Sequence, residues 1–95
     1  MSFPEPTKKL REEISKVLFE RVRHPMRVFA YNCEQVLKDN DHKGGWKKCS
    51  KRFMISKLLE ETNELVNEIL NNGNNIRKES CDVANIAMMI RDNWG

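Results

Sequence analysis

Residues 58–70 read Leu58-Leu59-Glu60-Glu61-Thr62-Asn63-Glu64-Leu65-Val66-Asn67-Glu68-Ile69-Leu70, and their spacing decides the fold. Apolar side chains return every three or four positions, which is the period of an α-helix and not the alternation of a strand. At about 100° per residue, Leu58, Thr62, Leu65, Val66 and Ile69 fall on one stripe. Glu61, Glu64 and Glu68 lie on its flank, with Glu60 further round. Glu60 and Glu64 are four apart, as are Glu64 and Glu68, so like charges share a side at a cost of about 0.2–0.5 kcal/mol per pair. No lysine is expected on this face to relieve them. Taken alone, the helix reads as a solvated acidic face, because glutamate is a good helix former.

The same period extends in both directions. This helix is expected to start near Ser50 and to run through residues 50–71, ending in Asn71-Asn72-Gly73-Asn74-Asn75, a turn-forming run. A further helix follows over 76–93, carrying Val83, Ile86, Met89 and Ile90. So short a connection makes the two helices antiparallel neighbours. Upstream, Asp39-Asn40-Asp41-His42-Lys43-Gly44-Gly45 is a polar, glycine-bearing loop. Before it, a helix over 26–39 carries Val28, Phe29, Asn32, Cys33, Val36 and Leu37. Leu10, Ile14, Val17, Leu18 and Val22 mark a first helix over 7–22, interrupted at His24-Pro25 because the residue before proline avoids the helical region. Strand signals are nearly absent. The chain therefore reads as all-α, one helical domain over residues 1–95, in a four-helix-type bundle.

Ninety-five residues leave no room for a second core. A chain of this size buries only about 60–65% of the surface its unfolded form exposes, so the bundle is expected to be completed by homo-oligomerisation. One third of the residues are charged, no apolar run approaches the roughly 18–20 residues that span a bilayer, and Met1-Ser2-Phe3-Pro4-Glu5-Pro6 lacks the apolar stretch of a secretory signal. Cys33, Cys49 and Cys81 are an odd set without C-x-x-C spacing, which suits reduced thiols in a cytoplasmic protein and not a disulfide framework or zinc site. A net charge of +3 is too small and too evenly spread to indicate nucleic acid by itself.

The last helix changes the reading of the acids. Glu79 falls within the stripe of Val83, Ile86 and Ile90, and Asp82 lies about 60° away. Carboxylates that point toward a core must be paired, hydrogen-bonded, protonated or bound to a metal. Arg11, Arg21 or a lysine of another helix would serve as an ion-pair partner. Alternatively, Glu79 and Asp82 face Glu61 and Glu64, and the four share a cation, as inward carboxylates do in other bundles. Ligation by carboxylates alone, with no histidine or cysteine at ligand spacing, suits Mg²⁺ or Mn²⁺. Magnesium commonly adds waters and substrate phosphates, which makes a nucleotide or another polyphosphate the natural partner.

Glu60-Glu61-Thr62-Asn63-Glu64 followed by Glu79-Ser80-Cys81-Asp82 resembles the EExxE…ExxD pattern of the all-α nucleoside triphosphate pyrophosphohydrolases, the MazG-like superfamily. Lys43-Gly44-Gly45-Trp46 and the run Asp82-Val83-Ala84-Asn85-Ile86-Ala87-Met88-Met89-Ile90 resemble a small single-domain subgroup. The likeness covers roughly residues 27–94 and departs in no carboxylate. It implies hydrolysis of a nucleoside triphosphate to monophosphate and pyrophosphate, in house-cleaning or nucleotide-pool control, by a dimer or tetramer. By position it gives Glu61, Glu64, Glu79 and Asp82 the metal-ligand roles. Glu60 becomes a group behind the ligands or the one that orients the attacking water, so Glu60 and Glu61 are the catalytic expectation.

For substrate binding, the sequence offers Lys43, Trp46 and Asn85. Lys43, with Lys47, Lys48 and Arg91, is either a phosphate contact or a solvated surface charge. Trp46, in a polar loop before the acidic helix, either stacks on a base or packs at the rim. Asn85, one turn beyond Asp82, offers donor and acceptor to a base or sugar, or else bridges two helices. Two rivals stand beside the enzyme: a non-catalytic nucleotide- or protein-binding module of the same fold, and a DNA-binding module using Lys43, Lys47, Lys48, Lys51 and Arg52. The acids a turn or two later would repel a phosphate backbone and weigh against the second.

Overall fold

The structure, a computed structural model, describes residues 7–95. The stretch Met1–Pro6, read above as lacking a secretory signal, lies outside the described residues. Four helices follow in chain order: α1 (Lys8–Glu20), α2 (His24–Asp39), α3 (Lys51–Leu70) and α4 (Ile76–Trp94), with a 3₁₀ turn over Asp41–Lys43. No strand occurs among the described residues.

Local chemistry sets the ends. Thr7 and Ser50 cap α1 and α3, each side-chain oxygen accepting from the backbone N–H three residues on, Leu10 and Phe53, at 3.1 Å. α2 begins at His24, two residues before the expected start, because proline is tolerated in a first turn whose N–H groups lack helical partners anyway. α3 closes with Asn72 in the left-handed region at φ 52°. Gly73 N–H then reaches back to the Glu68 carbonyl at 2.9 Å, and Asn72 N–H to the Ile69 carbonyl at 3.4 Å, which is the Schellman arrangement. Glu68 Oε2 accepts from Asn75 N–H at 3.1 Å, tying the end of α3 to the start of α4. A Cβ at Gly73 would displace that Glu68 carboxylate from its place over the turn.

At the other end, the segment before α3 is fastened to the end of α4. Trp46 Nε1 donates to Asp92 Oδ2 at 2.9 Å, and Asn93 Nδ2 donates to the Trp46 carbonyl at 2.9 Å. The Lys51 ammonium sits 5.9 Å from the centre of the Trp94 ring. With both ends matched in this way, α3 and α4 are antiparallel, as their spacing in sequence predicts. α4 packs along α3 on one side and α2 on the other. Cys33, Met54 and Cys81 are the buried apolar side chains among the described residues, and buried Asn85 donates from Nδ2 to the Cys33 carbonyl at 3.0 Å, bridging α4 to α2.

Two expectations change. The inward line of α3 runs through Met54, Leu58, Glu61, Leu65 and Glu68, so Thr62, Val66 and Ile69 face outward. Glu61 and Glu68 are half-buried on that line, and Glu68 is held there by the connection to α4. Also, α1 packs closely on none of the other helices, so the chain holds a three-helix cluster with α1 outside it and not a four-helix bundle. Leu10, Ile14, Val17 and Leu18 remain exposed. The extents are 56 × 32 × 25 Å and the radius of gyration is 16.5 Å, where a compact chain of this length has about 12–13 Å. Among the described residues no helix is long and apolar enough to cross a membrane.

Candidate metal centre

α3 supplies Glu61 and Glu64 from successive turns, and α4 supplies Glu79 and Asp82 in the same way. One carboxylate oxygen from each of the four comes within 4.8 Å of all the others. Oxygens on opposite sides of a magnesium ion, each about 2.1 Å from it, lie about 4.2 Å apart. The four therefore stand at ligand spacing with only a slight closure. Glu61, Glu79 and Asp82 are half-buried, whereas Glu64 faces solvent.

The four acids repel one another unless a cation or a proton stands among them. At an effective dielectric near 20, two such charges about 4.8 Å apart repel by roughly 3 kcal/mol. Buried oxygens Oε2 of Glu61 and Oε2 of Glu79 receive no hydrogen bond. Glu64 lies within hydrogen-bond reach of both, but a carboxylate satisfies a carboxylate only if one holds a proton. Burial pushes the Glu61 carboxyl up to about 7, with Glu64 beside it and the charges of Asp82 and Glu60 adding to the rise. Glu79 is raised as well, mainly by burial, although Lys78 pulls the other way. Two undonated oxygens on carboxylates that resist ionisation are what a divalent ion would satisfy, so the donor set fits one.

Partial neutralisation comes from Lys78, whose Nζ lies 2.9 Å from Asp82 Oδ2. The ion-pair partner is thus a lysine of the same helix, not Arg11, Arg21 or another helix. Nor is the outer face free of lysine, since Lys57 Nζ stands 3.4 Å from Glu60 Oε2. Glu60 is outside the group of four. Glu68, expected on the acidic flank, serves the connection between helices.

Beside the carboxylates opens a chamber of about 280 Å³ walled by Trp46, Phe53, Met54, Ile86 and Met89, with Glu61 and Asp82 at its edge. Lys43 and Asn85 also line it. Gly44, at φ 88°, sits where the loop turns into this wall. The substrate-binding expectations sort unequally. Asn85 spends its amide N–H on Cys33, so the helix bridge expected as its other role is real, and no donor among the described residues reaches its Oδ1. Trp46 is fixed by Asp92 through its indole N–H and turns toward the chamber as a wall. Lys43 is exposed at the mouth, while Lys47 is taken by Asp92 at 2.6 Å. Sequence reasoning missed Lys57, which lines the chamber, and Lys78. The four-residue step from Lys78 to Asp82 was the available signal.

No thiol joins the group of four acids, although Cys49 lines the same chamber and Cys33 feels the Asp82 charge. Cys33, Cys49 and Cys81 are free, and burial, then the neighbouring Cys81 thiol, pushes Cys33 up to about 12. A thiol so firmly protonated is a poor metal ligand.

No protein-family model, no curated protein and no solved structure matches the chain.

Proposed function

We propose that the protein is a magnesium-dependent pyrophosphohydrolase of the MazG-like kind, cleaving a nucleoside triphosphate to the monophosphate and pyrophosphate. One observation carries the reading. Four carboxylates from two helices converge at ligand spacing with undonated buried oxygens, beside a chamber with an apolar wall.

Glu61, Glu64, Glu79 and Asp82 would hold Mg²⁺, with Mn²⁺ as a substitute. The ion, when bound, supplies charge neutralisation on the phosphates and a more acidic water. The rest falls to the chain. Asp82 and Glu61, shared between the cluster and the chamber, fix where the phosphate chain meets the nucleoside end. Glu60 and Glu61 are the groups proposed to orient the attacking water and take its proton. The walls of Trp46, Phe53 and Met89 exclude water from around the base, and Asn85 Oδ1 offers an acceptor to it. Lys43 at the mouth offers a cation to the phosphates.

The working form is a homodimer or homotetramer in the cytoplasm. The support for assembly is the apolar stripe on α1, which nothing among the described residues covers, together with exposed Val66, Ile69 and Leu70 on the outer side of α3. The test is a panel of ribo- and deoxyribonucleoside triphosphates assayed for pyrophosphate release with and without Mg²⁺. Release from at least one member, dependent on the metal, is the expected outcome. Metal-dependent nucleotide binding with no release would favour the non-catalytic module instead.

A further inference from the structure

Lys78 is oddly placed for a surface lysine. It stands in the first turn of α4, beside Arg77, where the positive end of the helix dipole disfavours cations. Its partner Asp82 is four residues C-terminal to it, the weaker order for such a pair. Helix energetics alone therefore give little reason for a lysine here. What the position does supply is a cation in the field of Asp82, Glu79 and Glu61 at once. Among the described residues, Lys78 makes the one salt bridge to a member of the cluster. The two partners also differ in freedom: the Lys78 side chain is 62% exposed, while that of Asp82 is 13% exposed. The aspartate is held and the lysine can leave.

We propose, on the reading of the cluster as a metal centre, that Lys78 is an exchangeable counter-cation. It occupies Asp82 while no divalent ion is present, yields that carboxylate to the ion, and turns its ammonium to the phosphate chain of the nucleotide. An ammonium beside a dication is repelled, and its flexible four-carbon stem lets the charge move without the helix moving. An incoming polyphosphate is then the nearest anion left unpaired, and a compact ammonium is an ordinary phosphate ligand.

The exchange predicts opposite signs in two measurements on Lys78→Gln, a change at an exposed site whose fold is checked by far-ultraviolet circular dichroism. Calorimetric titration with Mn²⁺ and with Mg²⁺, without nucleotide, should give binding roughly two- to fivefold tighter than wild type, the value of losing a competing surface ion pair. On the best triphosphate of the panel, kcat/KM should fall roughly tenfold or more, as for loss of a charged hydrogen bond. A lysine that merely staples the helix would move neither in this pattern. Unchanged or weaker metal binding, or unchanged kcat/KM, overturns the exchange while leaving the metal centre standing. Wild-type protein that takes up neither ion overturns both.

Discussion

Glu61 on α3 and Glu79 on α4 each keep a buried Oε2 without a donor, and the two carboxylates belong to one cluster with Glu64 and Asp82. Their pairing makes stability depend on pH in a direction opposite to ordinary salt-bridged acids. Glu61 titrates at about 7 in the fold, above the usual 4.5, first because it is buried and then because Glu64 is beside it. A raised pKa means that the folded protein binds the extra proton, so this stabilisation is complete below about 4.5 and is lost as pH rises through about 7. Urea denaturation in chelator should therefore give a lower midpoint near pH 8 than near pH 5. Added Mg²⁺ should recover the loss near pH 8 and do little near pH 5, where the ligands hold protons. Equal midpoints at the two pH values would show that the carboxylates do not share a buried site.

Met54 is 2% exposed, on the helix α3 that packs along α4, and it lines the chamber. Few side chains are buried as deeply, so its loss has little to compensate it. Met54→Ala should cost about 2–5 kcal/mol, a large share of the roughly 5–10 kcal/mol that holds a small domain folded. Met54→Leu, which conserves volume, should cost less than about 1.5 kcal/mol. Urea unfolding followed by circular dichroism separates the two.

α1 leaves Ile14 and Leu18 exposed on one stripe, 46% and 56% respectively. If a second copy covers that stripe, Ile14→Glu with Leu18→Glu should convert a dimer or larger assembly to a monomer by light scattering. The three packed helices should retain their helical signal. A wild-type protein that is already monomeric would contradict the proposed assembly.

The helices were legible because each signal is local: the three-to-four spacing of apolar residues, the interruption at His24-Pro25, and the asparagine-rich turn with Gly73. The four acids were legible for the same reason, since residues three apart on a helix share a side wherever the helix goes. Less visible was which face of α3 turns inward. Val66 and Ile69 looked like core by hydrophobicity, yet the inward line passes through Glu61 and Glu68, because helix packing is decided by partners far along the chain. The packing of α1 was hidden for that reason too: its stripe is well formed and meets no helix closely among the described residues. Trp46 and Asp92 are 46 residues apart, and no pattern in the sequence links them. Lys78 was readable from its spacing to Asp82, but only after Asp82 was known to face the cluster.

The central claim is that the acids of α3 and α4 hold a catalytic divalent ion, and Glu79→Gln tests it most directly. This variant keeps the size of the side chain and removes one charge from the cluster. Measured together, Mn²⁺ uptake and pyrophosphate release should both collapse relative to wild type, with the helical signal unchanged. A Glu79→Gln protein that binds the ion and turns over like wild type would contradict the account.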